Sequence, residues 1–257
     1  MSGTNVAIEL APQFTVIDCT KTKKIKYNKD GSVCRIHPNK EKGISSEVYA
    51  LKSMDEIKAM LDVFDRKINS DCLDGERQIR ERNKLLFLIG INVGIRASDL
   101  RLLRWNFFMN EDGTFKRSYT IQPKKTKKHG KFVTLYFNNT IKQAILNYIE
   151  KYPVEDLNEY IFVSQRGGQP IVESSLWRII KDTAKEAGIE QNVGSHTLRK
   201  TWGFWCWHNA EDKAKALVVL QSCFNHSNTN TTMKYIGLLD DEVEDMYHSV
   251  ELGLDFI

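Results

Sequence analysis

Short helical segments dominate the sequence from residue 53 onward, and they favour a mainly helical domain. The segment SMDEIKAMLDVFDRKI starts with Ser53, a favoured N-cap, and then repeats apolar residues at helical spacing. Gly188 supplies a stop signal for one of the later segments. Further helices are predicted in a segment that ends in LLFLIGINVGI (85–95), in the short ASDLRLLRW, and at 139–151, 175–187, 196–208, 213–223 and 229–236, with a last amphipathic segment at 240–251.

Two strand-like segments interrupt the helices once. SYTIQP (118–123) and KFVTLYF (131–137) flank the basic, turn-forming stretch KKTKKHG. Strands joined by so short a connection pair antiparallel. The sequence therefore predicts a mainly α fold with a small antiparallel β-sheet.

The composition limits the classes of protein that this chain can belong to. With 257 residues, 41% of them hydrophobic and 27% charged, it has room for one large domain, or for one domain with a small appendage. The longest apolar runs are too short to cross a bilayer, so no membrane role is expected. The first residues lack the order of a signal peptide, and five scattered cysteines form no even framework. We therefore expect a reducing, cytoplasmic compartment.

Charge is distributed unevenly along the chain. All 37 Lys and Arg residues, but only 26 of the 33 acidic residues, lie before Ile236. A basic body with an acidic tail favours a polyanion as partner of the body and a protein as partner of the tail. A second interpretation, that most of these charges simply face water, stays open at this point.

The N-terminal residues differ from the rest of the chain in their composition and sequence pattern. Residues 19–43 hold eight basic and two acidic side chains, and KIKYNKDGSVCRI reads as a hairpin around Lys-Asp-Gly. Such an arm could touch a DNA backbone or could serve only as a solubilising arm. Helical texture begins near Leu51. We therefore predict a basic N-terminal arm with a β-hairpin at 1–50 and the main domain at 51–257.

Six polar side chains are candidates for chemistry, although each alone has an ordinary structural explanation. An Arg at a helix start is usually a surface charge, and a Lys at a hairpin tip is usually solvated. A His and an Arg three residues apart in SHTLRK share one helical face. In FNHSNTNTTMKYIG a His is followed nine positions later by a Tyr. The six candidates are Arg96, Lys125, His196, Arg199, His226 and Tyr235.

Taken together, four motifs resemble those of the tyrosine recombinase, or phage integrase, family over roughly residues 51 to 240. They are GIRASDLRLLRW, KKTKKHGKFVTL, SHTLRKTWGFW and FNHSNTNTTMKYIG. The resemblance implies the catalytic fold of these DNA breaking-rejoining enzymes and site-specific recombination through a 3′-phosphotyrosyl intermediate. It also implies double-stranded DNA as partner, a protein that is monomeric when free and tetrameric on synapsed DNA, and no cofactor or metal. A C-terminal helix at about 238–257 is expected to pass between neighbouring protomers.

The chemistry explains why such a site needs a tyrosine among cations. A free Tyr has a pKa near 10, so only about one in a thousand is ionised at neutral pH. Tyr235, as the nucleophile, therefore needs a cationic field or a base nearby. Arg96 and Arg199 offer planar forks that can hold phosphoryl oxygens in fixed geometry. Phosphoryl transfer depends mostly on such positioning and charge stabilisation.

The remaining candidates have supporting roles. His226 would bond a phosphoryl oxygen, while His196 is the better candidate for a base or proton relay. By resemblance Lys125 protonates the departing 5′ oxygen, with Lys127 and Lys128 as local rivals. Asp99 is expected to support the site from behind. The side chains expected to bind DNA are those of Lys124, Lys127, Lys128, Lys131 and Lys200.

The sequence departs from the family pattern in four places. Asn225 stands where the family usually has Gly, and Asp99 stands where Glu is more usual. The interval from Arg199 to His226 is longer than expected, with HNAEDKAKA as the apparent insertion. Residues 1–50 are too few for the helical core-binding domain that the family normally carries. We therefore expect the DNA clamp to be reduced or supplied differently.

Three other interpretations compete with this one. A zinc site built from Cys206, His208, Cys223 and His226 is disfavoured, since Cys206 and His208 lie two apart and diverge on a helix. A DNA-binding regulator with the same fold but reduced catalysis is a second interpretation. A type IB topoisomerase, which shares the phosphotyrosyl chemistry, is a third.

Overall fold

The computed structural model describes residues 47–124, 130, 132–165, 167–239, 246–247 and 249. Most of the predicted arm at 1–50 and most of the predicted tail helix at 238–257 lie outside these residues, as does the predicted hairpin in the arm. Three of the predicted DNA contacts, Lys127, Lys128 and Lys131, also lie outside them, as does the predicted catalytic residue Lys125. In the described part of the chain, no helix has both the length and the apolarity needed to cross a membrane.

Helices make up most of the described chain, as the sequence predicts. Ser53 caps the first of them, because its hydroxyl accepts the Glu56 N–H while the Glu56 carboxylate accepts the Ser53 N–H. Gly188 adopts a positive φ of 74° just after the fifth. The described helices are Met54–Asn69 (α1), Asp74–Val93 (α2), Ala97–Leu100 (α3), Asn139–Lys151 (α4), Glu173–Glu186 (α5), Ser195–His208 (α6), Lys213–Phe224 (α7) and Thr229–Ile236 (α8).

The two predicted strands pair as expected. Ser118–Ile121 (β1) and Val133–Tyr136 (β2) form an antiparallel ladder, with Ser118 opposite Tyr136 and Ile121 opposite Val133. On the open face of the ladder, the hydroxyls of Thr120 and Thr134 are 3.0 Å apart. The ladder places Lys124 three residues beyond the end of β1, where the basic turn begins.

Three predicted helices differ from the structure by two residues or more, and the first of them, α2, ends at Val93 rather than at Ile95 because Gly94 is its left-handed C-cap. ASDLRLLRW is helical only over Ala97–Leu100, and a 3₁₀ turn follows at Trp105–Phe107. Beyond Leu100 the predicted helix does not continue. Trp105 is instead buried in the core, and its N–H donates to the Glu159 carbonyl rather than within a helix. Helix α5 begins at Glu173, two residues before the predicted start, since the extended Val172 serves as its N-cap.

The core has two parts, and the second lies beneath the C-terminal helices. Helix α2 packs against α1, α4 and α6 in the larger part. The smaller part joins α6, α7 and α8 through Phe204, Leu220, Phe224 and Ile236. Gly203 allows this close approach, because a Cβ there would lie 2.6 Å from the Phe224 ring. The ends of α7 and α8 are thereby fixed against α6.

Candidate active site

Arg199 lies at the centre of the candidate site. It projects from α6 and is buried, with a relative exposure of 7%. Its Nη1 donates to the Gly94 carbonyl at 2.6 Å, its Nη2 donates to the Cys223 carbonyl at 3.4 Å, and its guanidinium lies 4.7 Å from the Phe224 ring centroid. Burial is the main cause that lowers the pKa of Arg199. The backbone carbonyls that end α2 and α7 therefore fix the guanidinium.

A tight turn brings Arg96 to the same place. Gly94 ends α2 with a left-handed φ of 68°, and a Cβ at this position would lie 2.2 Å from the Trp202 ring. Only glycine fits so close an approach at such a φ. Arg96 follows as the N-cap of α3 and is half-buried. Its charge lowers the pKa of Arg199, so two guanidiniums repel each other here. Such an arrangement suits an anion between them.

Tyr235 lies against both arginines. It is half-buried on α8, and its ring makes edge-to-face contacts with Phe224 and His226, at centroid distances of 5.0 and 5.1 Å. Burial raises the pKa of Tyr235, and the charges of Arg199 and Arg96 only partly oppose that rise. The hydroxyl is therefore protonated in the structure as it stands, and it faces two cations.

His226 completes the cluster from the turn between α7 and α8. Its Nδ1 lies 3.1 Å from the Thr232 hydroxyl. Burial lowers the pKa of His226, and the charges of Arg199 and Arg96 lower it further. An imidazole that is neutral at pH 7 can donate one hydrogen bond and accept one.

The turn itself explains how His226 and Tyr235 meet. Helix α7 ends at Phe224, and Asn225 follows in the left-handed conformation, with φ 58°. Asn228 then caps α8, because its side-chain oxygen accepts the Thr231 N–H at 2.8 Å. The polar run SNTNTT (227–232) thus starts α8, as the sequence predicts, whereas α7 has already ended before it at Phe224. Asn225 also explains the departure from Gly, since Asn tolerates this conformation better than most residues.

Asp99 links α3 to the start of the basic turn. Its buried carboxylate accepts the backbone N–H of Lys124 at 2.8 Å. This contact fixes the exposed Lys124 at the start of the basic turn, one residue before Lys125.

Two predicted residues lie elsewhere than the cluster's centre. His196 is the second residue of α6, and its side chain is exposed. Lys200 is buried rather than exposed, and its ammonium pairs with Glu47 at 2.9 Å. A buried, paired lysine is poorly placed to bind a DNA phosphate, so we correct its assignment as a DNA contact.

Within the described residues, no group of three or more His, Cys, Asp or Glu side chains is arranged to hold a metal ion. Cys206 and Cys223, two members of the alternative zinc site, are exposed side chains on α6 and α7 and belong to no such group.

Sequence reasoning missed the partners that hold the cluster. The Gly94 and Cys223 carbonyls, the Thr232 hydroxyl and the Phe224 ring all contact candidate residues, yet none belongs to a pattern of charged side chains. Gly94, two residues before Arg96, was the one available signal. The other contacts arise only when α6, α7 and α8 pack together.

A domain that gathers two arginines and a histidine around a tyrosine is that of a tyrosine recombinase. The profile of the phage integrase family matches residues 53–242, and the chain belongs to this family. The resemblance given by the four motifs is therefore confirmed, as is the mainly α fold with a small antiparallel sheet.

Named relatives of this chain also belong to the recombinases. The probable integrase/recombinase YoeC of Bacillus subtilis is 34% identical over 167 residues, which cover 65% of this chain and 83% of YoeC. The tyrosine recombinase XerD of Oceanobacillus iheyensis is 27% identical over 201 residues, which cover 77% of this chain and 60% of XerD. The chain thus spans most of YoeC but less than two thirds of XerD.

Two solved structures share the fold. The crystal structure of the XerA recombinase gives a TM-score of 0.55 at 22% identity, over 80% of this chain and 66% of XerA. XerH bound to palindromic difH substrate, in a post-cleavage complex, gives a TM-score of 0.53 at 20% identity, over 86% of this chain and 59% of XerH.

Proposed function

We propose that the protein is a site-specific DNA recombinase that integrates, excises or inverts DNA through a covalent phosphotyrosyl intermediate. One observation carries the proposal: the charges of two arginines act on half-buried Tyr235, and the ring of His226 packs against its ring. The naming of YoeC and XerD as recombinases supports the same function.

The reaction exchanges one phosphodiester for another. The Tyr235 oxygen forms a bond to a DNA phosphorus, the bond from that phosphorus to the 5′ oxygen breaks, and the protein holds a 3′-phosphotyrosyl link. The phenol proton departs, and the 5′ oxygen takes up a proton. Because a phosphoester is kept throughout, the reverse attack by a 5′ hydroxyl reseals a strand without an energy source.

The arginines supply the charge that this step requires. Arg199 is already fixed by two carbonyls, so it needs little reorganisation when a phosphate arrives. A phosphate between Arg96 and Arg199 would relieve their mutual repulsion. It would also leave Arg199 able to favour the ionised form of Tyr235, which is the form that attacks. Loss of one such donor typically costs about 100- to 1000-fold in rate.

The other groups act on protons and on the phosphate. We assign His226 to a phosphoryl oxygen and His196 to a base or proton relay. We assign to Lys125 the protonation of the departing 5′ oxygen. We assign to Asp99 the positioning of the basic turn that carries Lys125, through its hydrogen bond with Lys124. Lys127 and Lys128 are the alternative donors of the proton that the 5′ oxygen takes up. No step requires a metal or a cofactor.

We further propose double-stranded DNA as the partner and a tetramer on synapsed DNA. XerH was solved with its difH substrate, which supports DNA binding by a chain of this fold. Met246 and Tyr247, on the apolar stripe predicted for the tail, are 69% and 79% exposed in the single chain. Exposed apolar side chains of this kind favour a contact with a neighbouring protomer over docking on their own domain.

A nicked half-site that loses its short cleaved strand tests the proposal. We expect the protein to be trapped on DNA as a denaturation-resistant adduct, in chelator as well as without it. Tyr235→Phe should give no adduct. An adduct of equal yield from Tyr235→Phe would overturn the nucleophile assignment, while binding without any adduct would favour the regulator. Relaxation of supercoiled DNA without strand exchange would favour the topoisomerase.

A further inference from the structure

The segment Glu47–Lys52, which we call the strap, lies along α6 just before α1. The Leu51 N–H donates to the hydroxyl of buried Thr201 at 2.9 Å, and the Trp205 indole N–H donates to the Leu51 carbonyl at 3.0 Å. Leu51 is itself fully buried. These contacts fix the centre of the strap against the helix that carries Arg199.

The C-terminal end of the strap reaches the helix that carries Tyr235. Lys52 donates from its ammonium to the Gly237 carbonyl at 2.8 Å. Gly237 ends α8 in a left-handed conformation, with φ 81°. A cation at this end satisfies a helix-terminal carbonyl and interacts favourably with the helix dipole. Lys52 therefore holds the end of α8 two residues beyond Tyr235.

The N-terminal end of the strap reaches the ring of Tyr235 through Lys200. Lys200 is buried, with a side-chain exposure of 7%, and the Glu47 carboxylate lies 2.9 Å from its ammonium. The same ammonium lies 5.2 Å from the centroid of the Tyr235 ring. A buried ammonium is costly unless it is paired, so Glu47 is what allows Lys200 to stay there.

The two cations near Tyr235 act on different parts of it. The charge of Arg199 lowers the pKa of the phenol, whereas the Lys200 ammonium lies 5.2 Å from the centroid of the ring. A cation over an aromatic face attracts the whole ring, and the attraction is greater where water is excluded. Lys200 can therefore fix the orientation of the ring, while Arg199 acts on the reacting atom.

We propose that the strap positions the nucleophile, with Lys52 fixing the end of α8 and Glu47 fixing the Tyr235 ring by way of Lys200. The inference rests on the proposed function, because it takes Tyr235 as the nucleophile. Lys52 and Lys200 are positioning residues and touch no DNA in this role. A displacement of about 1 Å in a reacting group can cost on the order of 100-fold in rate.

Single-turnover cleavage of the nicked half-site at saturating protein provides the test. We expect Lys200→Met to slow adduct formation by on the order of 100-fold and Lys52→Met by roughly tenfold or more, with half-site affinity close to parental. Lys58→Met is the matched control, because it removes the same charge from an exposed position on α1 and should cleave at the parental rate. Lys200→Arg should recover much of the rate, since a guanidinium can keep both the ion pair and the ring contact.

The coupling through Glu47 has its own readout. Glu47→Gln should slow cleavage less than Lys200→Met does, and the double variant should be no slower than Lys200→Met alone, because both changes act through one contact. The dependence of the rate on pH should keep its shape in all of these variants. A shifted pH profile would show that Lys200 acts on the ionisation of the phenol and would overturn the positioning role.

The outcomes separate this inference from the function on which it rests. If the parental protein forms no adduct, the proposed function fails. If the parental protein forms the adduct and Lys200→Met cleaves as fast as Lys58→Met, the strap has no positioning role. Should Lys200→Met melt below the assay temperature, the decision passes to Lys52→Met and Glu47→Gln, and parental cleavage by both would overturn the inference.

Discussion

The carboxylate of Asp99 accepts the backbone N–H of Lys124 at 2.8 Å, and so links helix α3 to the start of the basic turn. Asp99 follows Arg96 by three residues and is buried, while Lys124 is exposed. The contact thereby links α3, which Arg96 caps, to Lys124. Lys124 directly precedes Lys125, the lysine that we assign to the leaving group. The shorter Asp, where the family more often has Glu, is sufficient to make it.

Loss of this contact should impair cleavage more than DNA binding. Asp99→Ala removes the acceptor, and we expect a slower single-turnover rate because Lys124, at the start of the basic turn, loses its hydrogen bond. Loss of the hydrogen bond should also destabilise the fold by about 1 kcal/mol. Asp99→Asn retains a side-chain oxygen and is the matched control. It should cleave faster than Asp99→Ala, and equal rates for the two would show that the hydrogen bond does not matter.

Asn225 should be replaceable by glycine but not by alanine. Its φ of 58° lies in the left-handed region, which costs an ordinary L-residue roughly 1–2 kcal/mol. Both substitutions remove the Asn side chain, so they differ mainly in the ability to adopt this conformation. We expect Asn225→Ala to be less stable than Asn225→Gly by about 1 kcal/mol in urea denaturation. Equal stabilities would mean that the turn rearranges.

Local patterns predicted much of the fold. Helices 139–151 and 229–236 have the predicted bounds because local sequence signals mark them. In each, an Asn cap directly precedes a segment with apolar residues at helical spacing. The position of Lys200 could not be read in this way. In the sequence it is one more lysine beside Arg199, and only the packing of the strap on α6 buries it. The carbonyl partners of Arg199 were hidden for the same reason, since any residue offers a carbonyl.

The ionisation of His226 should report on the arginines. Burial and the charges of Arg199 and Arg96 lower its pKa below 6.5, and NMR titration of the ring should show this. Arg96→Gln should raise that pKa, because it removes a nearby positive charge. Lys234→Gln, at an exposed position on α8, is the control and should change it less. No rise in Arg96→Gln would contradict the proximity of the two groups.

The same titration has a consequence for stability. Since the pKa of His226 is lower in the folded than in the unfolded protein, the unfolded protein binds the proton more readily. The contribution of His226 to stability is therefore complete above pH 6.5 and falls as the pH drops from 6.5 through the folded pKa. His226→Gln should reduce the loss of stability in this window, as followed by thermal denaturation at several pH values.

The N-terminal residues should contribute to DNA affinity through phosphate contacts. Each neutralised phosphate steepens the salt dependence by roughly 0.9 in log K per log salt. Deletion of residues 1–43, which include the basic stretch from 19 onward, should therefore flatten the slope measured on a half-site. The strap is retained in this variant. An unchanged slope would show that the arm does not bind DNA.

The acidic tail should couple assembly to cleavage. Val243, Met246, Tyr247 and Val250 fall at helical spacing, and seven acidic residues from Asp240 onward make the tail a poor companion for DNA. Because the tail follows Tyr235 closely, its transfer to a neighbouring protomer could move the nucleophile into or out of the site. Leu238 is buried in the smaller part of the core, so truncation should come after Leu239 to spare the fold.

The truncated protein should still bind one half-site but should lose cooperative assembly on full sites and recombination, with cleavage altered. Gel-shift titration on half- and full sites would measure the first two properties, and a two-plasmid assay the third. Met246→Ser with Tyr247→Ser is the finer variant, since it removes two exposed apolar side chains and leaves every acidic group in place. It should match the truncation if apolar contact between protomers carries the coupling. Parental cooperativity and recombination in both variants would show that the tail is not the coupling element.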